Sequence, residues 1–272
     1  MTRSRERSLI LLTNDDGIFS PGLLAAAEAL TPLGEVLIVA PHEQQSGAGR
    51  SMPLTAEGEI IPERLTVNGN VVTAYAMRST PALIVQHGII EIAPRRPALV
   101  VAGINYGENI GSDATVSGTV GAALEAAAFG IPAMAVSLQT TLTQHLSNER
   151  GVDFSAAAHF LHFFAARILA WESMSDVDVL KVDVPTGATP STPWRVTRLA
   201  RARYFAPVAP DRSNPDVSPR MGYGFAPRPA HLDPATDLGA LLTGHVAVTP
   251  LSLDMTSRVD LAALRGILEE IP

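Results

Sequence analysis

The sequence predicts an α/β protein with a doubly wound, mostly parallel sheet and a β-rich segment towards its end. Apolar runs too short for helices alternate along the chain with segments of helical periodicity. Each run stops at a proline, a glycine or a cluster of small polar residues, as strands do where they enter a loop. The chain has 272 residues, of which 46% are hydrophobic, enough for one large domain with a substantial core. Such alternation is typical of parallel sheets with helices on both faces.

The first strand and helix are the most clearly marked elements. Leu9–Thr13 is an apolar run that leads into Asn14 and two adjacent aspartates. Ser20 is a typical N-cap and Pro21 suits a first helical position, so a helix follows over the alanine-rich segment Leu23–Leu30. The same criteria predict further strands at Glu35–Ala40, Val71–Ala76, Leu99–Asn105, Ala133–Leu138, Val179–Val184 and Val246–Leu251. They predict further helices at Pro81–Ile90, Val120–Phe129 and Phe154–Trp171, a short helix after Thr236 and Asp237, and a terminal helix from Leu261.

The pattern changes near residue 189. From there to about residue 235, proline, glycine and arginine are frequent and helical periodicity is weak. Long irregular segments in compact proteins are commonly functional loops, arms or disordered stretches, and we interpret this one as an arm for self-association. We therefore divide the chain into a flexible N-terminus (1–8), an α/β core (9–188), an irregular or β-stranded arm (189–235), and a strand and helix that complete the core or the oligomer (236–272).

Composition excludes several classes of function. The chain has no cysteine, so it has no disulfides, thiolate metal sites or cysteine nucleophiles. Its formal net charge of −7 argues against a surface that coats nucleic acids. No apolar stretch reaches the length of a membrane span, and the one after the charged start is too short for a signal peptide. We therefore expect a cytoplasmic protein that binds neither membranes nor nucleic acids in general.

Oxygen-bearing side chains follow several of the predicted strands. Asp15 and Asp16 come directly after the first strand. Ser46 lies in the loop after the second strand, and Asn105 ends a later one. The carboxyl ends of parallel strands meet at one edge of the sheet, so we expect these groups to lie together. Adjacent carboxylates repel each other unless a cation is present, and carboxylates with neutral oxygens suit magnesium, manganese or calcium. An isolated Asp-Asp-Gly sequence is often only a polar turn, but here other loops supply matching donors.

Small residues beside these donors predict an anion site. Glycines next to Ser46 and Ser117 let backbone N–H groups approach a ligand, and the helix that begins near Thr119 adds the positive end of its dipole. Asn109, in a glycine-rich loop, is a further candidate for orienting an anion. A divalent cation beside such a site indicates phosphate. The lysine-containing P-loop sequence is absent, which argues against a P-loop NTPase.

Four ordered motifs carry a resemblance to a known family. They are Asn14-Asp15-Asp16-Gly17 with Pro21-Gly22, Val39-Ala40-Pro41 followed by Ser46-Gly47-Ala48, Gly103-Ile104-Asn105 through Asp113, and Ser117-Gly118-Thr119-Val120. With them the chain resembles the SurE survival-protein family, densely from Leu9 to Leu138 and more thinly beyond. The resemblance implies a Rossmann-like core, a metal-dependent phosphatase that acts on nucleoside 5′-monophosphates, and a C-terminal arm exchanged between subunits.

The resemblance also implies roles for individual residues. One divalent cation per subunit, Mg²⁺ or Mn²⁺, is expected on Asp15, Asp16, Ser46 and Asn105. The expected phosphate- and substrate-binding residues are Asn14, Gly47, Asn109, Ser117, Gly118 and Thr119. Asp15 and Asp16 are the predicted catalytic residues. We favour attack on phosphorus by water activated at the cation, and attack by one of the aspartates is the alternative. The expected assembly is a homodimer or homotetramer formed through the arm.

Other functions share parts of this pattern. A phospho-accepting receiver also has an acidic pair after its first strand, but it needs an aspartate at a later strand end, where this chain has Asn105. A nucleotide-sugar transferase would use the acidic pair to hold a metal-bound diphosphate, and a nucleotide-binding module would bind without turnover. A receiver predicts stable labelling by a phosphodonor, whereas a transferase predicts tight binding of nucleotide sugars with little phosphate release.

Overall fold

The computed structural model describes residues 7–54, 58–145, 151–170, 175–213, 218, 221–228 and 231–270. Residues 1–6 of the expected N-terminal segment, residues 214–217, 219–220 and 229–230 of the expected arm, the predicted helix end Trp171 and the last two residues lie outside this description. The strands are β1 (Leu9–Thr13), β2 (Glu35–Pro41), β3 (Ile60–Val67), β4 (Asn70–Met77), β5 (Leu99–Tyr106), β6 (Ala133–Leu138), β7 (Val179–Val184), β8 (Trp194–Val196), β9 (Phe205–Val208), β10 (Gly222–Phe225) and β11 (Val246–Leu251). The α-helices are α1 (Pro21–Leu30), α2 (Pro81–His87), α3 (Gly118–Ala128), α4 (Ser155–Ala170), α5 (Asp237–Leu242) and α6 (Leu261–Glu270).

The main sheet has nine strands in the order β3-β4-β2-β1-β5-β6-β7-β11-β8. The pairs from β4 through β7 are parallel. Antiparallel pairing joins β3 to β4 and β11 to β7, nearer the two edges. The chain passes from β1 to β2 on one side of β1 and later returns to β5 on its other side, so the winding direction reverses between β1 and β5. The predicted doubly wound, mostly parallel sheet is confirmed, and its switch point is the crevice at the carboxyl ends of β1 and β5.

Apolar side chains cover both faces of this sheet. Every residue of β1, β5 and β6 is buried, as expected for strands between two layers of helices. One core lies between the sheet and the pair α1 and α4, and the other lies between the sheet and the pair α2 and α3. The central strands are therefore fixed from both sides, and the loops at their carboxyl ends start from well-packed positions.

The predicted helix Pro81–Ile90 is shorter in the structure. Its α-helical part ends at His87, and Gly88–Ile92 continues as a π-helical turn. Gly88 lies against the core at this change, since a Cβ atom there would be 3.0 Å from a methyl carbon of Leu11. This close packing of Gly88 against β1 depends on the tertiary structure. Helical periodicity in the sequence therefore could not predict where the α-helix ends.

The segment after residue 189 contributes to two sheets. β8 joins the main sheet beside β11, with which it pairs in parallel. β9 and β10 form a separate antiparallel two-stranded sheet, which we call the hairpin. β11 lies within the main sheet, whereas α6 carries exposed apolar side chains. The domain boundaries and the use of the hairpin in self-association stay predictions.

No helix in the described part of the chain is both long enough and apolar enough to cross a membrane.

Candidate cation and phosphate site

The two adjacent aspartates lie in the turn between β1 and α1, beside the switch point. Asp15 and Asp16 are only 4% and 2% exposed. Asn14 orders this turn, because its side-chain nitrogen donates to the Gly17 carbonyl (2.9 Å) and its side-chain oxygen accepts from the Gly17 N–H (3.2 Å). Gly17 has a φ of +104°, a conformation that side chains other than glycine rarely adopt. The Asn14 side chain thus shapes the turn that carries both aspartates, and its part in substrate binding stays a prediction.

Asp15 lies against the N-terminus of α3. The Thr119 hydroxyl donates to Asp15 Oδ1 (2.5 Å), and the N–H groups of Gly118 and Thr119 face the same carboxylate. Glycine permits this approach, since a Cβ atom at Gly118 would lie 2.8 Å from Asp15 Oδ2. Ser117 Oγ accepts from the Val120 N–H (3.1 Å), and this N-cap explains why α3 begins two residues before the predicted start at Val120. The positive end of the helix acts on Asp15, and phosphate binding by these residues stays a prediction.

Burial changes the acidity of both aspartates. It raises the pKa of Asp15, against the opposing effect of the Thr119 hydroxyl and nearby N–H groups. Burial and then the charge of Asp15 raise the pKa of Asp16 well above its ordinary value, although the Tyr106 N–H (3.0 Å to Oδ2) and the Gln44 amide favour the charged form. A divalent cation would stabilise both carboxylates, so this pair fits the ligand that the sequence predicts.

The loop after β2 reaches the aspartates through hydrogen bonds. The Gln45 N–H donates to the Asp15 carbonyl (2.7 Å). The side-chain nitrogen of Gln44 donates both to Asp16 Oδ1 (3.1 Å) and to Ser46 Oγ (2.9 Å). The structure therefore brings Ser46 and Asp16 together around one shared donor. Nothing in the residue pattern distinguishes Gln44 from its neighbour Gln45, because only the folded loop shows which of them contacts the aspartate.

Glycines fit this loop against the start of α3. The Gly49 N–H donates to the Val116 carbonyl (3.0 Å), and a Cβ atom at Gly121 would lie only 2.2 Å from the Gly49 carbonyl oxygen. Gly47 is exposed, with a φ of +77° and open space around it. The loop is thus held at Gly49 and accessible at Gly47, where the sequence predicts contact with phosphate.

The two predicted asparagines lie at the end of β5 and in the loop after it. Asn105 Nδ2 donates to the Gly107 carbonyl (2.7 Å), so Oδ1 is the amide atom left for a cation. Asn109 Nδ2 donates to Ser137 Oγ (2.8 Å), and its backbone N–H donates to Asp183 Oδ1 (2.7 Å). Both residues are buried at the same edge of the sheet as the aspartates. Their amide nitrogens are used to fix the loop, which is consistent with the predicted use of their oxygens.

A buried ion network that the sequence did not predict secures the loop carrying Asn109. Lys181, the only lysine in the chain, lies on β7 with no exposed side-chain surface and contacts the carboxylates of Asp183 and Asp237 (3.2 Å to Asp237 Oδ2). Asp183 accepts the Asn109 N–H, and Asp237 accepts the Gly111 N–H (2.9 Å). Burial lowers the pKa of Lys181, but the two carboxylates outweigh it and raise the pKa overall. The lysine therefore stays charged. A lone lysine within an apolar strand was the one feature of the sequence that could have indicated a buried ion network.

The hairpin reaches the same edge of the sheet through aromatic contacts. The His145 ring stacks on Tyr223 of β10 (6.1 Å between centroids, 18° between planes) and meets the edge of Phe205 of β9 (5.6 Å). His145 Nδ1 lies 3.3 Å from the Tyr223 hydroxyl. Its carbonyl accepts from Gln44 Nε2 (2.6 Å). His145 thus connects the hairpin to the loop that carries Ser46, a link that sequence spacing did not indicate.

Glu108 is a further buried carboxyl beside this site. Its side chain is 3% exposed, and neither of its oxygens has a hydrogen-bond partner among the described residues. Burial raises its pKa to about 7, in an environment that includes Tyr204, Thr140 and Asp183. Metal-binding groups of three or more His, Cys, Asp or Glu side chains were not found among the described residues. The predicted cation ligands are of another kind, with two carboxylates and neutral oxygens.

Fold and site together define an α/β protein with a doubly wound sheet. The turn of Asp15 and Asp16, the loop of Ser46 and the loop after Asn105 meet at the switch point of this sheet. The family model described as survival protein SurE matches residues 10–206. A protein named 5′-nucleotidase SurE from Thermococcus gammatolerans is 44% identical over 261 residues, which cover 95% of each chain. Another of that name from Thermococcus kodakarensis is 40% identical over 260 residues, covering 95% of this chain and 98% of the other. The crystal structure of the SurE protein from Aquifex aeolicus has a TM-score of 0.73 and 30% identity, covering 96% of this chain and 99% of that one. The chain belongs to the SurE family.

Proposed function

We propose that this protein is a 5′-nucleotidase that hydrolyses nucleoside 5′-monophosphates to nucleoside and phosphate. The observation that carries the proposal is the pair of buried carboxylates, Asp15 and Asp16, at the switch point of the sheet. Relatives named 5′-nucleotidase SurE, similar over nearly the whole chain, support the same reaction. The transferase, receiver and binding-module alternatives have no such support.

A divalent cation, Mg²⁺ or Mn²⁺, is the cofactor that we propose, with one ion per subunit. Asp15, Asp16, Ser46 and Asn105 would hold it. Their oxygens are the hard ligands that these ions prefer, and burial has raised the pKa of both carboxyls, which a cation would reverse. When bound, the cation supplies Lewis-acid chemistry for the phosphoryl group and the attacking water.

The protein's own groups fix the charges around the phosphoryl group. The Thr119 hydroxyl and the N-terminus of α3 favour the ionised form of Asp15, and the Tyr106 N–H does the same for Asp16. Gly47 is exposed and has open space around it, so phosphate can approach its backbone, where preorganised donors would stabilise developing charge. Asn109 is held in place by Ser137 and can orient the phosphate. Water is the nucleophile that we favour over attack by an aspartate.

Self-association and cytoplasmic location belong to the same proposal. The hairpin exposes three apolar or aromatic side chains, Val208, Tyr223 and Phe225, next to the site. Exposed apolar surface of this kind commonly marks a contact with another chain. This surface supports the expected homodimer or homotetramer, and light scattering of the purified protein measures the state directly.

Phosphate release from a panel of nucleoside 5′-monophosphates tests the function. Each substrate is assayed with EDTA, Mg²⁺ or Mn²⁺, using wild type, Asp16→Asn and the control Asp254→Asn, whose aspartate is exposed on the chain after β11. We expect turnover that metal restores, that Asp16→Asn loses and that the control keeps. Absence of release from every monophosphate, with folded protein and metal present, would overturn the proposal.

A further inference from the structure

One side-chain nitrogen connects three loops of the candidate site. Gln44 Nε2 donates to Asp16 Oδ1 (3.1 Å), to Ser46 Oγ (2.9 Å) and to the carbonyl of His145 (2.6 Å). An amide nitrogen carries two hydrogens, so the three acceptors share them. The neighbouring Gln45 side chain makes no hydrogen bond within the described residues, and Gln45 lines a different pocket together with His42 and Arg78. Two adjacent glutamines therefore have different environments, and one of them is directed to the predicted cation ligands.

We propose that Gln44 is a positioning residue that assembles the cation ligands before the cation binds. This inference rests on the proposed function, because it takes Asp16 and Ser46 as ligands. The Tyr106 N–H already holds one oxygen of Asp16, and Gln44 holds the other, so the carboxylate is fixed at both oxygens. Orienting groups behind the ligands contribute to metal affinity in the same way as the hydrogen-bond partners of metal-bound histidines.

Ser46 depends on Gln44 more strongly than Asp16 does. It is exposed, and the glycines at positions 47 and 49 both have positive φ angles, so its loop has few side chains to restrict it. The bond from Gln44 Nε2 restrains the side-chain oxygen of Ser46, and the same nitrogen contacts Asp16 Oδ1. The partial positive charge of the amide group also lies between two oxygens that must converge on a cation. Gln44 thereby reduces the cost of bringing them together.

The third bond extends this arrangement to the hairpin. The His145 carbonyl accepts from Gln44, and the His145 ring stacks on Tyr223. Loss of the Gln44 amide would therefore release Ser46 and separate the loop of His145 from the cation site, while the two aspartates would keep their contacts with the backbone and α3. The expected defect is weaker cation binding in a protein that remains folded.

Direct measurement of Mn²⁺ binding by calorimetry, without substrate, tests this inference. The variants are Gln44→Met, which keeps the length and removes the donor; Gln44→Asn, which keeps the amide but shortens it by one carbon; and the matched control Gln45→Met. We expect both Gln44 variants to weaken Mn²⁺ binding by about 10- to 100-fold and the control to bind like wild type. The Tm of metal-free protein should stay within about 2 °C, and kcat at saturating Mn²⁺ should largely recover.

Several results would overturn it. The inference fails if both Gln44 variants bind Mn²⁺ as wild type does, or if Gln45→Met loses as much Mn²⁺ affinity as they do. It also fails if the loss of affinity comes with a large fall in the Tm of metal-free protein, or if wild type binds no Mn²⁺. The proposed function fails separately: a wild type that binds Mn²⁺ but releases no phosphate from monophosphates would refute the nucleotidase and still leave the effect of Gln44 on binding measurable.

Discussion

Replacing Glu108 with glutamine should remove a pH dependence from the stability of this protein. The carboxyl is buried, and its oxygens lack hydrogen-bond partners among the described residues. Burial, with a smaller contribution from the charge of Asp183, raises its pKa from 4.5 to about 7. In the unfolded chain the same carboxyl is solvated and titrates near its ordinary value.

The pKa of Glu108 is higher in the folded state than in the unfolded state. At a pH between these two pKa values, the folded protein therefore binds more protons than the unfolded chain. Glu108 therefore contributes its full stabilisation below pH 4.5, and the contribution is lost as the pH rises through about 7. At 1.36 kcal/mol per pKa unit, the loss is about 3 kcal/mol. Glutamine has a similar shape and no charge to desolvate, so Glu108→Gln should gain stability relative to wild type by this amount as the pH increases.

Urea unfolding at about pH 5 and about pH 8.5 measures this change. The informative quantity is the free energy of unfolding of the variant minus that of wild type, because other titrating groups cancel in it. We expect this difference to become more favourable to Glu108→Gln by about 2.5 kcal/mol at the higher pH, because a small part of the loss has already occurred at about pH 5. Glu59→Gln, at an exposed carboxyl before β3, is the control and should show no such change. A difference that is the same at both pH values would refute the idea that burial keeps Glu108 protonated.

Three further substitutions test the supports of the site. Lys181→Met leaves its two aspartate partners buried without a cation and should lower the free energy of unfolding by about 3–5 kcal/mol in urea, whereas an unchanged value would contradict the buried network. Gly118→Ala places a Cβ atom 2.8 Å from Asp15 Oδ2 and should reduce phosphate release about tenfold or more, while Gly266→Ala, in open space, should not. Thr119→Val removes the hydroxyl that donates to Asp15 and should reduce phosphate release about tenfold, whereas Thr119→Ser should retain it; equal activity of the two variants would count against this role.

The strands from β4 through β7, and β11 beside them, could be predicted because their signals are local. The bounds of β6, β7 and β11 agree with the prediction at both ends, since an apolar run and a flanking proline, glycine or polar cluster mark each strand. The start of α3 was predicted two residues late, at Val120, whereas the cap bond of Ser117 begins the helix at Gly118. Helix and strand positions thus followed from nearby residues, whereas the start of α3 depended on a side-chain hydrogen bond and the end of α2 on packing against β1.

The candidate site was predictable only in part, because some of its contacts join residues that are far apart in the sequence. Asp15, Asp16 and Asn105 lie together because each is at or just after the end of a neighbouring parallel strand. Gln44 and His145 escaped prediction because they are 101 residues apart in the sequence and meet only in the folded chain. The network around Lys181 likewise depends on strand pairing and on α5, which no local pattern connects. The positions of the candidate residues at strand ends were therefore easier to predict than the residues that contact them.

Titration of metal-free protein with Mn²⁺, following binding and phosphate release from a nucleoside 5′-monophosphate in the same sample, would test most directly whether Asp15 and Asp16 hold a catalytic cation. If they do, binding saturates at one ion per chain, phosphate release rises in parallel, and both signals fall sharply in Asp15→Asn and Asp16→Asn. Phosphate release that survives complete chelation, or ion binding and turnover that both variants retain, would contradict it.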